Sequence, residues 1–134
     1  MGLMRRATPP PGSTGLTSGT PIAVSVPSGA ERWYRYTAPA DGIVQVDWAD
    51  EGTNIGSISA TVGGTCPDPR NDGTTLLDGE DASNSHTGSG AIQAGELLRV
   101  WLECGDVLTG TLTATFTKRI TPQMARTPSF SRQI

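Results

Sequence analysis

The clearest pattern in the chain is a two-residue alternation near its end. Leu98, Val100, Leu102 and Cys104 alternate with Leu97, Arg99, Trp101 and Glu103. Leu108, Leu112, Ala114 and Phe116 then alternate with Thr109, Thr111, Thr113, Thr115 and Thr117. An apolar and hydroxyl split of this kind needs the strand period, because successive side chains of a strand point to opposite faces. Earlier segments carry the same signal. Ile22 to Val26 reads as a short first strand closed by the Pro27-Ser28-Gly29 turn, and Trp33 to Thr37 as a second, with Tyr34 and Tyr36 opposite Trp33 and Arg35. Ile43 to Trp48 puts Val44, Val46 and Trp48 on one face. Ile55 to Val62 puts Ile58, Ala60 and Val62 inward, although Gly56 loosens it. Residues 63–90 read as one long irregular connection broken by Leu76-Leu77, which marks an edge strand.

Seven or eight short strands with tight turns predict an all-β antiparallel sandwich over residues 20–117, with a barrel as the other closure open to the same faces. Trp48, Val46, Leu98, Val100, Leu102, Leu112 and Phe116 are its expected core. Composition agrees, since 17 glycines, 10 prolines and 5% aromatic residues favour short strands and turns over long helices. At 134 residues the chain suits one core. Residues 1–19, with Pro9, Pro10 and Pro11, and residues 118–134, with Pro122 and Pro128, lack the apolar content to fold alone and read as N- and C-terminal arms.

Charge divides along the same boundaries. Arg5, Arg6, Lys118, Arg119, Arg126 and Arg132 give the arms +6 with no acid, whereas Arg32, Arg35, Arg70 and Arg99 against all 13 acids give the middle −9. Basic arms therefore suit the acidic body of a neighbour, at a strength that salt weakens. Met124, Phe130 and Ile134 add apolar anchors to the C-terminal arm, as Met1, Leu3 and Met4 do to the other. A nucleic-acid partner is disfavoured, because the body repels phosphate and no aromatics are interleaved with clustered bases. No run of apolar residues is long enough for a membrane span, so the chain reads as soluble. The opening residues do not form a secretory signal, having no apolar region behind Arg5 and Arg6.

The candidate chemistry is sparse. His86 is the only histidine and sits in a polar run, with nothing nearby that resembles a strained nucleophile turn. Cys66, His86 and Cys104 lack the paired spacing of a zinc site. Starting a calcium-loop frame at Asp68 places Asp72 and Gly73 correctly, but Arg70 spoils one ligand position and Gly79 replaces the bidentate Glu. These readings imply no enzyme, no cofactor and no metal. Cys66 and Cys104 are expected to bridge, tying the long connection to the penultimate strand. Trp101 lies on the polar face of its strand, exposed unless a partner or a loop covers it, and Trp33 raises the same question. Both suit an interface or a sugar platform. The interface candidates are Arg5, Arg6, Trp33, Trp101, Arg119, Arg126, Phe130 and Arg132.

The stretch WYRYTAPADGIVQVDW, together with AIQAGELLRVWL, resembles the bacterial pre-peptidase C-terminal domain and its relatives. The resemblance implies a non-catalytic β-sandwich module of the sort that hangs from secreted enzymes. Standing alone with basic arms, such a sandwich looks like a virion component, a decoration protein on the head or a tail-associated protein of a bacteriophage. Its partners would then be capsid or tail proteins and copies of itself, and its location the virion. A carbohydrate-binding or accessory module is the alternative reading.

Overall fold

In a computed structural model of the chain, the described residues are 13–53, 55–63 and 73–119. They form nine strands: β1 (Thr14–Gly15), β2 (Ile22–Val26), β3 (Glu31–Thr37), β4 (Gly42–Asp50), β5 (Gly56–Val62), β6 (Thr74–Asp81), β7 (His86–Ile92), β8 (Leu97–Cys104) and β9 (Leu108–Lys118). Two sheets result, ordered β1-β3-β8-β5-β6 and β2-β9-β4-β7. The expected all-β sandwich is thus the fold. All pairings are antiparallel except β1 with β3.

Between the sheets lie the inward alternates of both. Val46, Trp48, Leu98, Val100, Leu102 and Leu112 are buried as expected, while Phe116 is partly buried at the margin. Trp48 also ties the layers together, since its indole N–H donates to the Ala82 carbonyl at 2.8 Å, across from β4 to the turn after β6.

Two elements depart from the sequence expectation. The sandwich begins before residue 20: β1 pairs with Tyr34 and Arg35, Leu16 is buried, and the Gly19 N–H donates to Ala114 O at 2.8 Å. The N-terminal stretch therefore starts on the edge of one sheet and crosses to the other. Within the stretch expected to be irregular, β6 extends over eight residues and β7 is a full strand. The inward positions of β7 are His86, Gly88, Gly90 and Ile92, so an apolar alternation is missing. The glycines are a packing requirement. A Cβ on Gly88 would lie 2.6 Å from Leu76 O, and one on Gly90 would lie 2.6 Å from Leu76 Cδ2. Leu76 of β6 occupies the space that β7 side chains would fill.

The strands define two ends. At one, turns 27–30, 51–55, 82–85 and 105–107 gather, linked by Gly29 N to Cys104 O (3.0 Å), Gly105 N to Ile55 O (2.9 Å) and Ala82 N to Gly56 O (3.0 Å). At the other, turns 38–41 and 93–96 meet the exit of β9, where Arg119 N donates to Asp41 O at 2.9 Å.

Candidate functional site

The outer face of the five-stranded sheet carries the aromatic candidates in three neighbouring rows. The register aligns Arg35, Arg99 and Thr61 in one, Trp33, Trp101 and Ser59 in the next, and Glu31, Glu103 and Ser57 in the third. Trp33 and Trp101 are thereby brought together, with ring centroids 5.4 Å apart and planes 26° from parallel. Offset stacking of this kind stabilises an aromatic pair beyond the area it buries.

Of the two readings open for Trp101, an exposed platform or a covered ring, the covered ring is the one that forms. Trp101 is 4% exposed, and Ser59, Thr61 and Arg99 on the same face are buried too. Arg99 is wholly buried and donates from Nη1 to Gly63 O at 2.9 Å. The alternation along β8 predicts one buried and one polar face, and a covered polar face has the same two-residue period as an exposed one. Trp33 is half-buried and is the part of the pair that reaches solvent. At the sheet's edge, the Arg35 guanidinium donates to the Ser13 carbonyl and, at 2.9 Å, to the Ser13 hydroxyl, which fixes the start of β1.

Arg119 is exposed beside Lys118 at the β9 exit. Arg5, Arg6, Arg126, Phe130 and Arg132 lie outside the described residues, as do Cys66, Asp68, Arg70 and Asp72. Cys104 is a free, buried cysteine, so the expected Cys66–Cys104 bridge is not formed. Topology supplies the reason. Cys104 pairs with Gly56, whereas the connection bearing Cys66 leaves β5 at Gly63, about 23 Å further along the strand. Disulfide geometry needs Cα atoms within about 7 Å.

The His86 ring is half-buried opposite Trp48, and its Nε2 lies 2.7 Å from Asp81 O. Its neighbour Asp81 accepts from the Ser83 hydroxyl at 2.7 Å and the Ser83 N–H at 3.0 Å, and these bonds hold its carboxyl below the usual range. Asp50 is likewise lowered, by the Thr53 hydroxyl first and then by backbone N–H groups, including Thr53 N at 2.7 Å. Both carboxylates cap turns. Among the described residues no three of His, Cys, Asp or Glu gather to hold a metal ion.

Sequence reasoning overlooked the polarity of the two ends. At the first end stand Glu31, Asp50, Glu51, Asp81, Glu103 and Asp106, with Arg32 the one arginine or lysine among the described residues there and His86 beside Asp81. Glu31 and Glu103 are exposed and directly opposite each other in the register. The same end carries the exposed side chains Ile55 (61%) and Val107 (45%). A groove there is lined by Ile55, Gly56, Ser57, Glu103, Cys104 and Gly105. The far end has a second groove, flanked by Pro39, Ala94, Lys118 and Arg119. Its acids are engaged in turns: Asp41 Oδ1 accepts from Ala94 N at 2.8 Å, and Glu96 Oε1 from Gln93 N at 2.7 Å.

No protein-family model matches the sequence, and no curated protein matches it. Among solved structures, the chain is similar to the pre-peptidase C-terminal domain of a collagenase from Bacillus anthracis. That similarity has a TM-score of 0.58 at 12% identity and covers 81% of this chain and 99% of that one. It is a likeness of fold, and it falls on the kind of domain that Trp33 to Trp48 and Ala91 to Leu102 resemble.

Proposed function

We propose that this protein is a non-catalytic structural module of a larger particle, a virion component whose sandwich stands beside capsid or tail subunits while its basic ends fasten it to them. One observation carries the reading. None of the eleven acids among the described residues is buried, so the negative charge of the body is displayed on its surface, whereas the terminal segments are purely basic. Surfaces and segments of opposite sign attract over roughly a Debye length and suit repeated contacts, in which weak attachments add through high effective concentration. The fold similarity to a pre-peptidase C-terminal domain agrees with the resemblance carried by Trp33 to Trp48 and Ala91 to Leu102, and that resemblance implies a non-catalytic module.

The test compares occupancy on the parent particle for the full chain and for a chain lacking residues 1–12 and 120–134, after circular dichroism shows that both fold. Truncation at residue 19 is unsuitable, because Thr14 to Gly19 belong to the sandwich. Lower occupancy of the trimmed chain, with a gap that narrows as salt rises, is expected. Equal occupancy across the salt series defeats the reading. Half-exposed Trp33, backed by Trp101, favours a second reading as a sugar-binding accessory module. Loss of polysaccharide retention in Trp33→Ala would support that one instead.

A further inference from the structure

The sandwich is electrically polar along its length, and its acidic end also bears two of the three large apolar side chains exposed among the described residues, Ile55 and Val107, the third being Ile43 near the start of β4. We propose that the groove at this end, between Ile55 and Glu103, receives the segment of residues 120–134 of a second copy of the chain, joining copies head to tail. The proposal rests on the structural reading above and names the partner and the surface.

Complementarity selects the occupant. The acceptor offers Glu31 and Glu103, exposed and opposite one another, with Ile55 lining the groove alongside Glu103 and Val107 exposed in the neighbouring 105–107 turn. The donor segment, residues 120–134, holds Arg126 and Arg132, no acid, and the apolar Met124 and Phe130, and it follows Lys118 and Arg119 at the far end of the body. It therefore matches the groove in both charge and apolar content. Direction matters as well. β9 runs from Leu108 at the acidic end to Lys118 at the other, so the last described residue, Arg119, stands at the end remote from that chain's own groove. Capture by the same chain would require the segment to run back along the whole sandwich, whereas capture by the next copy continues the direction in which β9 already points. The contact joins unlike surfaces, and such heterologous contacts propagate into rings or open rows.

Sedimentation velocity on the full chain tests this. At about 0.1 M salt, species heavier than the 14.0 kDa monomer are expected, and they should shrink towards it near 1 M as the screening length falls from about 10 Å to about 3 Å. Two charge-reversed variants follow, Glu31→Lys with Glu103→Lys in the acceptor and Arg126→Glu with Arg132→Glu in the donor. Each should sediment as a monomer. An equimolar mixture should regain assembly, because the intact donor of one variant fits the intact acceptor of the other, and the reversed donor and reversed acceptor are again opposite in sign. Ile55→Ser should weaken assembly without altering charge. A parent chain that stays monomeric at about 1 mM protein in low salt overturns the proposal. So does a reversed variant that assembles like the parent, or a mixture that yields no pair. Particle occupancy separates the two ideas: a monomeric chain that still loses occupancy on trimming leaves the proposed function standing and removes this one.

Discussion

Replacing Gly110 with Ala should destabilise the sandwich through clashes with two identifiable groups, the Trp48 ring and the Ala49 carbonyl. Gly110 sits inside β9, paired with Val24 on one side and Asp50 on the other, and is buried. Its φ is not among the positive values of the chain's glycines, so alanine can adopt the backbone there. In open space the change would be favourable by about 0.4–1 kcal/mol, because the unfolded chain loses freedom. Here the new methyl carbon would lie 2.5 Å from Trp48 Cη2, 2.6 Å from Trp48 Cζ2 and 2.5 Å from Ala49 O. Overpacking of this kind costs about 1–3 kcal/mol, enough to outweigh the entropy term. Trp48 cannot simply swing aside, because it is 1% exposed and its N–H is bonded to Ala82 O.

A second substitution isolates the ring. Trp48→Phe removes the clashing ring atoms but leaves the Ala82 carbonyl without its donor, at a cost of about 1–3 kcal/mol. It also opens a space of roughly 40 Å³, worth about 1 kcal/mol more at about 24 cal/mol per Å³. In that background Gly110→Ala should cost less than in the parent by about 0.5 kcal/mol or more, and only the approach to Ala49 O should remain. Urea unfolding of the four proteins, followed by circular dichroism, measures the cycle. Strict additivity, or a Gly110→Ala variant as stable as the parent, would refute the packing argument.

Two further outcomes follow from the same structure. Asp50 and Asp81 have carboxyls lowered by turn hydrogen bonds, so the stability they add is present above the unfolded carboxyl value of about 3.9 and disappears as pH falls through the lower folded values. Urea midpoints from about pH 6 to about pH 2 should therefore fall less steeply for Asp50→Asn with Asp81→Asn than for the parent, and equal slopes would count against the caps. Thiol titration under denaturing, non-reducing conditions should find both cysteines reduced, since Cys104 is free and buried at the end away from Gly63, and a single bridged pair would contradict that topology.

What the sequence revealed, and what it hid, has a common physical origin. Alternation reports that a strand has two different faces, and it located β4, β8 and β9 to within a residue or two, because their inward positions are large and apolar. It does not report what lies over the second face. Arg99 and Trp101 have the spacing of solvent-facing residues and are buried. β7 was invisible for the complementary reason: Gly88 and Gly90 leave room for Leu76, so the apolar group filling that part of the core belongs to another strand.

Missing that one strand also concealed the polarity of the body. Each strand carries the chain from one end of the sandwich to the other, so successive turns fall at alternate ends, and the end at which a turn's charges appear depends on how many strands precede it. Turns 27–30, 51–55, 82–85 and 105–107 share an end, which brings Asp50, Glu51 and Asp106 into company with Glu31 and Glu103. A count that omits β7 sends the 105–107 turn, with Asp106 and Val107, to the opposite end from Asp50 and Ile55, and the acids are then spread over both ends instead of accumulating at one. Net charge by segment could be read from the sequence, but its sorting to one end needed the parity of the strands. That parity turned on two glycines whose signal was the absence of a side chain.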